Sequence, residues 1–433
     1  MTNKIEKYPA YKPSGVEWLG DVPKHWEVLK GKWLFIKEDR PVRHDDGIVT
    51  CFRDGEVTLR TNRKKDGFTI ALKEHGYQGI RKGDLVIHNM DAFAGAIGVS
   101  DSDGKSTPVY SVCTPRKKNV VLPSYYSYFL RDMANSGFIE SLAKGIRERS
   151  TDFRFSDFSI LLLSVPPLEE QEAIIKFIDH KTSLIDQAIS IKQKQIELLK
   201  ERRQILIHNT VTRGLNPSVK MKNSGVEWIG EIPEHWEVKR LKHIAIIVLG
   251  KMLCNEDKGS YQLKPYLKSK NIQWLNVDVS SVEEMWFSQR EMVDYRLKKG
   301  DLVLSEGGEV GKTCIWNNEL EECYIQNSAH KVTFYEDNVQ EYYLYLFFSA
   351  GKIGLFESIV NRVSIGHLTK DKLINIEIIQ PPKVEQVCIS EYIETLSHKI
   401  KSAITLKEKE IEKLKEYKAT LINSAVTGKI KVN

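Results

Sequence analysis

The sequence predicts an α+β protein written twice. Two similar globular α/β domains are each followed by a long helix, and the two helices pair as an antiparallel coiled coil in a pseudo-two-fold internal repeat. Three observations carry this. Ser14-Gly-Val-Glu-Trp-Leu-Gly-Asp-Val-Pro-Lys-His-Trp-Glu-Val28 returns as Ser224-Gly-Val-Glu-Trp-Ile-Gly-Glu-Ile-Pro-Glu-His-Trp-Glu-Val238, 210 residues on and without a gap. Shorter segments return in the same order: Arg81-Lys-Gly-Asp-Leu-Val-Ile87 as Lys298-Lys-Gly-Asp-Leu-Val-Leu304, and Pro166-Pro-Leu-Glu-Glu-Gln171 as Pro381-Pro-Lys-Val-Glu-Gln386. After each double proline the chain enters a heptad pattern. Between these anchors the halves differ almost completely. The boundaries expected are a first domain at 1–167, a helix at 168–214, a second domain at 215–382, and a second helix with a tail at 383–433.

Residues 14–28 hold Gly15, Gly20 and Pro23 among aromatics, which makes an ordered loop rather than a helix. Two tryptophans and a histidine per copy fit either a base-stacking platform or an anchor for the loop. Their recurrence favours the anchor, since a feature common to both halves is poorly suited to reading different ligands. Short apolar runs bounded by Gly and Asp predict strands at Asp84–His88, Ile97–Ser100 and Val109–Cys113. A helix is expected over Tyr125–Met133, then a buried strand over Ile160–Val165, stopped by Pro166 and Pro167.

Residues 168–210 contain no Gly or Pro, carry Glu169 and Glu170 in the first turn, and end before Gly214. Ile175, Ile178, Thr182, Ile185, Ile189, Lys192, Ile196, Leu199, Arg203, Leu206 and Thr210 stand alternately three and four apart. Such a helix spans roughly 65 Å at about 1.5 Å per residue, too long for the core of its own domain. At an offset of 215 the second half has Ser390, Ile393, Ser397, Ile400, Ile404, Lys407, Ile411, Leu414, Lys418, Leu421 and Ala425. The expected seam is therefore Ile178, Ile185, Ile189, Ile196, Leu199 and Leu206 against Ile393, Ile400, Ile404, Ile411, Leu414 and Leu421. Lys192 answers to Lys407 and Arg203 to Lys418; polar seam residues cost stability and fix register. The second half repeats the plan, with a strand over Ile376–Gln380 before Pro381 and Pro382.

The 433 residues are 28% charged and 41% hydrophobic, with a net charge of +6. This is a globular composition that permits a polyanionic partner without requiring one. Six cysteines form no CxxC pair, as expected of free thiols. No apolar run is long enough to span a bilayer and the start is polar, so a cytoplasmic protein without membrane contact is expected. Catalytic motifs are missing. Gly307-Gly-Glu-Val-Gly-Lys-Thr313 lacks the glycine a phosphate loop needs at position 306, which is Glu306. There is no HExxH, no Cys/His cluster, no Gly-x-Ser-x-Gly elbow, no GxGxxG opening a helix and no Asn/Asp-Pro-Pro-Tyr segment. Two unlike domains on a duplicated ruler point to a binding protein, either of nucleic acid or, as an alternative, a dumbbell adaptor holding two protein partners without DNA.

The repeated segments resemble the specificity subunits of type I restriction–modification systems. The resemblance rests on Ser-Gly-Val-Glu-Trp-(Leu/Ile)-Gly followed by Pro-x-His-Trp, on Lys-Gly-Asp-Leu-Val before the turn from Ser305 to Gly311, and on Pro-Pro-x-x-x-Gln opening each long helix. Asn271-Ile-Gln273 and Gly366-His-Leu-Thr369 also resemble family segments, whereas Thr151-Asp-Phe-Arg-Phe155 departs from the Gly-His-Leu pattern. It covers essentially the whole chain. It implies that each domain is a target recognition domain reading one half of a bipartite, asymmetric site in double-stranded DNA. The helices would set the gap and dock two modification subunits; two restriction subunits would complete the assembly. It further implies that this chain is not an enzyme and binds no cofactor, with S-adenosylmethionine, ATP and magnesium serving the partner subunits.

Major-groove readout favours Arg or Lys on guanine and Asn or Gln on adenine. In the first half the densest basic and amide segment gives Arg60, Asn62, Arg63, Lys64 and Lys65 as candidate DNA contacts, with His88, Asn89 and Arg154 behind them. In the second half the candidates are Lys268, Lys270, Asn271 and Gln273, with Lys331 and Arg362. For any single lysine a phosphate contact is expected before a base contact. No catalytic or metal-binding residues are expected.

Overall fold

The computed structural model describes residues 6–63, 75–142, 152–360 and 366–432. The chain divides into two compact units, Met1–Lys192 with Glu408–Asn433, and Gln193–Lys407. The division runs through both long helices, Leu168–Arg213 and Lys383–Val426. Each globular domain therefore holds the first part of the helix that follows it and the last part of the other.

In the first unit β1 (Phe35–Lys37), β2 (Leu85–His88), β3 (Ile97–Val99) and β4 (Tyr110–Pro115) form an antiparallel sheet in the order β1-β4-β2-β3. Successive side chains of a strand point to opposite faces. Leu85, Ile87 and Cys113 thus enter the main core with Tyr125, Tyr126 and Phe129 of helix α1 (Pro123–Asn135). Val86 and Val112 enter a smaller core with Val49, Cys51 and Val57 of a hairpin. That hairpin (Val49–Cys51 with Val57–Leu59) lies so close that a Cβ on Gly98 would stand 1.9 Å from the Gly55 carbonyl oxygen.

The repeated loop is an anchor. Trp26 is fully buried, and its indole N–H donates to Glu170 Oε2 at 2.9 Å; Tyr8 Oη donates to the same oxygen at 2.8 Å. His25 Nε2 lies 2.6 Å from Glu170 Oε1. Gln171, also fully buried, donates to the Pro166 and Val120 carbonyls at 2.9 and 3.0 Å and accepts from Leu122 N at 2.8 Å. The first turn of the long helix, where backbone donors need acceptors and carboxylates are favoured, is thereby tied to both ends of its domain. Glu27–Lys30 closes the unit by pairing with Leu162–Val165.

The second unit repeats this frame. β5 (Ala245–Leu249), β6 (Leu302–Ser305), β7 (Thr313–Ile315) and β8 (Ala329–Phe334) take the order β5-β8-β6-β7. Tyr342, Tyr343 and Phe347 of helix α2 (Gln340–Lys352) fill its core. Trp236 donates to Glu385 at 3.0 Å, His235 lies 2.6 Å from it, and Gln386 donates to the Pro381 carbonyl at 2.7 Å. The contents differ: this unit adds a sheet of Glu283–Phe287, Gln262–Leu267 and Tyr324–Ile325.

Each unit holds part of an antiparallel helix pair. In the first, Lys192 Nζ donates to Glu410 at 2.5 Å and Lys418 Nζ to Asp186 at 2.7 Å, so falling numbers on one helix meet rising numbers on the other. Tyr125 Oη caps the pair by donating to the Val426 carbonyl at 2.7 Å. In the second, Arg203 Nε donates to Ser397 Oγ at 3.2 Å, and Tyr342 Oη repeats the cap on the Val211 carbonyl at 2.8 Å. Of the twelve expected seam residues, Ile178, Ile185, Ile196, Ile393, Ile400, Ile411 and Leu421 are buried and the other five half-buried.

The strands before the double prolines are shorter than expected, at Leu162–Val165 and Glu377–Gln380. Asp157 accepts from Arg154 N at 2.9 Å and so starts a helix over Phe155–Ile160, which leaves Ile160 exposed rather than in a strand. Among the described residues no helix is long and apolar enough to cross a membrane.

Candidate nucleic-acid interface

Both units build a mouth from three segments in one backbone frame. In the first unit the loop after β2 receives the turn before β4 through Asn89 N, which donates to the Val109 carbonyl at 3.0 Å. It also receives the segment leading into helix Phe155–Ile160, whose Phe153 N donates to the Asn89 carbonyl at 3.1 Å. In the second unit Glu306 N donates to the Ser328 carbonyl and Leu368 N to the Glu306 carbonyl, both at 2.8 Å. Phe153 and Leu368 are the buried pegs of the two mouths. Asp152-Phe-Arg154 and His367-Leu-Thr369 are therefore equivalent in structure although their sequences do not match.

The first mouth is an open groove of about 660 Å³, lined by Lys37, Asn89, Met90, Pro108, Val109 and Arg154 among others. Asn89 Oδ1 accepts from Ser111 Oγ at 2.9 Å. Arg154 is exposed and pairs with Asp152 at 2.7 Å. His88 stands edge-on to Tyr110, 4.6 Å between centroids, and its Nδ1 accepts from Asp91 N at 3.1 Å. Burial holds the His88 pKa below its ordinary value against the opposing pull of Asp91. Arg53 reaches Asp91 at 2.8 Å and ties the hairpin turn to this loop.

That hairpin leads into the short helix Arg60–Arg63. Arg60 Nε donates to Thr50 Oγ1 at 3.2 Å and Asn62 Nδ2 to Thr58 Oγ1 at 2.9 Å. Arg63 bridges Asp54 and Glu56 and lies 4.2 Å from the Phe52 ring centroid. The Arg63 guanidinium, first among the causes, lowers the Asp54 pKa. Lys64 and Lys65 lie outside the described residues, as does Arg362.

In the second unit Lys268 and Lys270 reach Glu283 at 2.6 and 3.0 Å. The two ammonium groups, with the Tyr266 hydroxyl, hold the Glu283 pKa down at about 2. Gln273 donates to the Lys270 carbonyl at 3.0 Å and accepts from Lys312 at 3.1 Å. Two candidates are occupied inside the fold. Asn271 is buried; it accepts from Lys268 N and donates to the Asp278 and Ser281 carbonyls, which ties off a loop. Lys331 is buried in β8, and its ammonium donates to the Asp294 and Arg296 carbonyls at 2.7 and 2.9 Å. Neither can meet a base edge without breaking these bonds. Sequence reasoning passed over Lys37, Arg53 and the turn Gln326–Ser328. An amide-rich tripeptide between two apolar strands was the available signal for that turn.

The family profile described as "Type I restriction modification DNA specificity domain" matches residues 233–416. The type I restriction enzyme MjaVIII specificity subunit of Methanocaldococcus jannaschii is 26% identical over 95% of this chain and 94% of its own length. A chain from a solved structure concerning assembly and conformational transition of the type I R-M system is similar in fold, with a TM-score of 0.69 and 17% identity over 94% of this chain and 98% of its own. The HsdS subunit of Thermoanaerobacter tengcongensis gives a TM-score of 0.58 at the same identity and coverage.

Proposed function

Because this chain belongs to the family of type I restriction–modification specificity subunits, we propose that it is the sequence-specific DNA-binding subunit of such a complex and does no chemistry itself. Each domain reads one half of a bipartite, asymmetric site, and the paired helices set the gap between the halves. The observation that carries this is the mouth. One backbone frame, built twice, presents Lys37, Asn89 and Arg154 in one domain and a different set in the other.

Unlike side chains on a common frame suit unlike half-sites. Two half-sites on one face of DNA require readers at a fixed distance and phase, since a turn is about 34–36 Å; helices locked by Lys192 on Glu410 and Lys418 on Asp186 resist the slippage a loose linker would allow. The exposed arginines and lysines engage phosphate first, exchanging their carboxylate partners for the backbone. Outside its seam the first long helix exposes Leu184 and Ile191 in one unit and Leu198 and Ile205 in the other, each at 47–58%. This apolar heptad face suits docking by helices of two modification subunits. Adenine methylation with S-adenosylmethionine belongs to those subunits, and ATP- and magnesium-dependent translocation and cleavage to two restriction subunits, in the cytoplasm.

The test is a mobility shift of the chain co-purified with its modification subunit on duplex DNA at 50 and 200 mM salt. A complex that shifts duplex and loses affinity by tenfold or more at the higher salt is expected. A stable subunit complex with no salt-sensitive duplex binding would instead make the chain a protein-only adaptor.

A further inference from the structure

The turn Gln326–Ser328 joins the strand Tyr324–Ile325 to β8 and forms one lip of the second mouth. Its backbone is fixed on four sides. Gln326 N donates to the Leu267 carbonyl at 3.0 Å, Asn327 N to the Lys251 carbonyl at 2.8 Å, and Ala329 N back to the Gln326 carbonyl at 2.9 Å; the Ser328 carbonyl accepts from Glu306 N. The side chains are fixed too. Gln326 Oε1 accepts from Ser328 N at 3.1 Å and Ser328 Oγ at 2.5 Å, which turns Gln326 Nε2 onto Asn327 Oδ1 at 2.5 Å. The Asn327 amide is thereby oriented, yet its Nδ2 makes no hydrogen bond to another described residue, and the side chain is half-exposed. In the equivalent frame of the first mouth the turn reads Thr107-Pro108-Val109, with no amide.

We propose that Asn327 is a specificity-determining residue of the second domain, hydrogen-bonding the major-groove edge of an adenine. The assignment rests on the DNA-reading function above. Adenine offers an N6–H donor beside an N7 acceptor, which an asparagine amide matches with Oδ1 and Nδ2 together. Asn327 Oδ1 keeps a second lone pair while it holds Gln326, and Nδ2 has both protons to give. Orientation by Gln326 and Ser328 lowers the ordering cost of that contact. Ser269 brings the phosphate-seeking lysines alongside: its N–H donates to Ser328 Oγ at 3.0 Å and its Oγ to the Ser328 carbonyl at 2.8 Å, which sets Lys268 and Lys270 next to the turn. The Thr-Pro-Val turn of the first domain cannot make the same amide contact, so the two domains are given different sequences at one place in one frame.

The experiment compares the co-purified complex carrying the unaltered chain, Asn327→Ala, Asn327→Asp and Lys270→Ala on a randomised duplex library, sequencing the bound fraction at two salt concentrations. Asn327→Ala is expected to erase an adenine from one half of the recovered motif and leave the other half intact. Affinity for the parental site should fall about ten- to hundredfold with the salt slope unchanged. Asn327→Asp, of the same shape but without the donor, should also lose the adenine and drift toward cytosine. Lys270→Ala should weaken all sequences alike and lower the salt slope by about one. A motif unchanged in both Asn327 variants overturns the proposal, as does a uniform loss like that of Lys270→Ala. Absence of any motif with the unaltered chain would strike the DNA-reading function itself.

Discussion

At the scale of the residue, what recurs between the halves is what folds the frame. Glu170 and Glu385 each hold a buried tryptophan and a histidine of the repeated loop. Replacing either with alanine strands an indole N–H in the core, and should cost about 1–3 kcal/mol by denaturant unfolding. His330 is buried with Nε2 2.6 Å from the Leu368 carbonyl, so it fastens the second mouth. Burial is the first cause that lowers its pKa, as it is for His88 and His208. The unfolded chain takes up protons near pH 6.5, before the folded one does. The stability these groups contribute is complete above that pH and lost as pH falls through the depressed folded values. Unfolding midpoints between pH 7.5 and 5 should decline toward acid, and His330→Gln should make the decline shallower; an equal slope would remove His330 from the account. The anchoring role of Trp26 and Trp236 was legible from recurrence alone. The burial of Asn271 and Lys331 was not, because the carbonyls that bind them come from segments distant in sequence or from a loop closed only in the fold.

At the scale of the element, the long helices were the most legible part, since a heptad repeated through Ile178, Ile185 and Ile196 admits few other structures. Ile178→Ala or Ile393→Ala, each fully buried, should cost about 2–5 kcal/mol. Leu198→Ala, on the exposed face, should stay within about 0.5 kcal/mol in the isolated chain while weakening capture of the proposed modification subunit. Equal destabilisation by seam and face variants would contradict the assignment of the two faces. The proposed recognition elements were less legible, because the hairpin, the short helix Arg60–Arg63 and the turn Gln326–Ser328 acquire their places through tertiary contacts. Glu283 restrains Lys268 and Lys270. Glu283→Gln should free both, tighten binding to non-specific duplex several-fold and steepen its salt dependence; titration against random-sequence duplex at graded salt checks this.

At the scale of the whole molecule, the chain uses one frame twice and changes the contents. Val109 and Ser328, Asn89 and Glu306, Phe153 and Leu368 hold the same backbone bonds with unlike side chains. That correspondence was hidden in the sequence, since a backbone hydrogen bond leaves no residue signature. The repeat itself needed no structure, because its anchors are side chains with buried partners. The net charge of +6 over 433 residues is modest, so the proposed recognition rests on local grooves built on the repeated frame rather than on net charge. The most direct measurement of that claim is bound-sequence enrichment from a randomised duplex library with the chain and the proposed modification subunit. One motif of two unlike parts separated by a fixed gap is the result this account predicts. A single uninterrupted motif, or two parts whose spacing varies from one bound sequence to another, would contradict it.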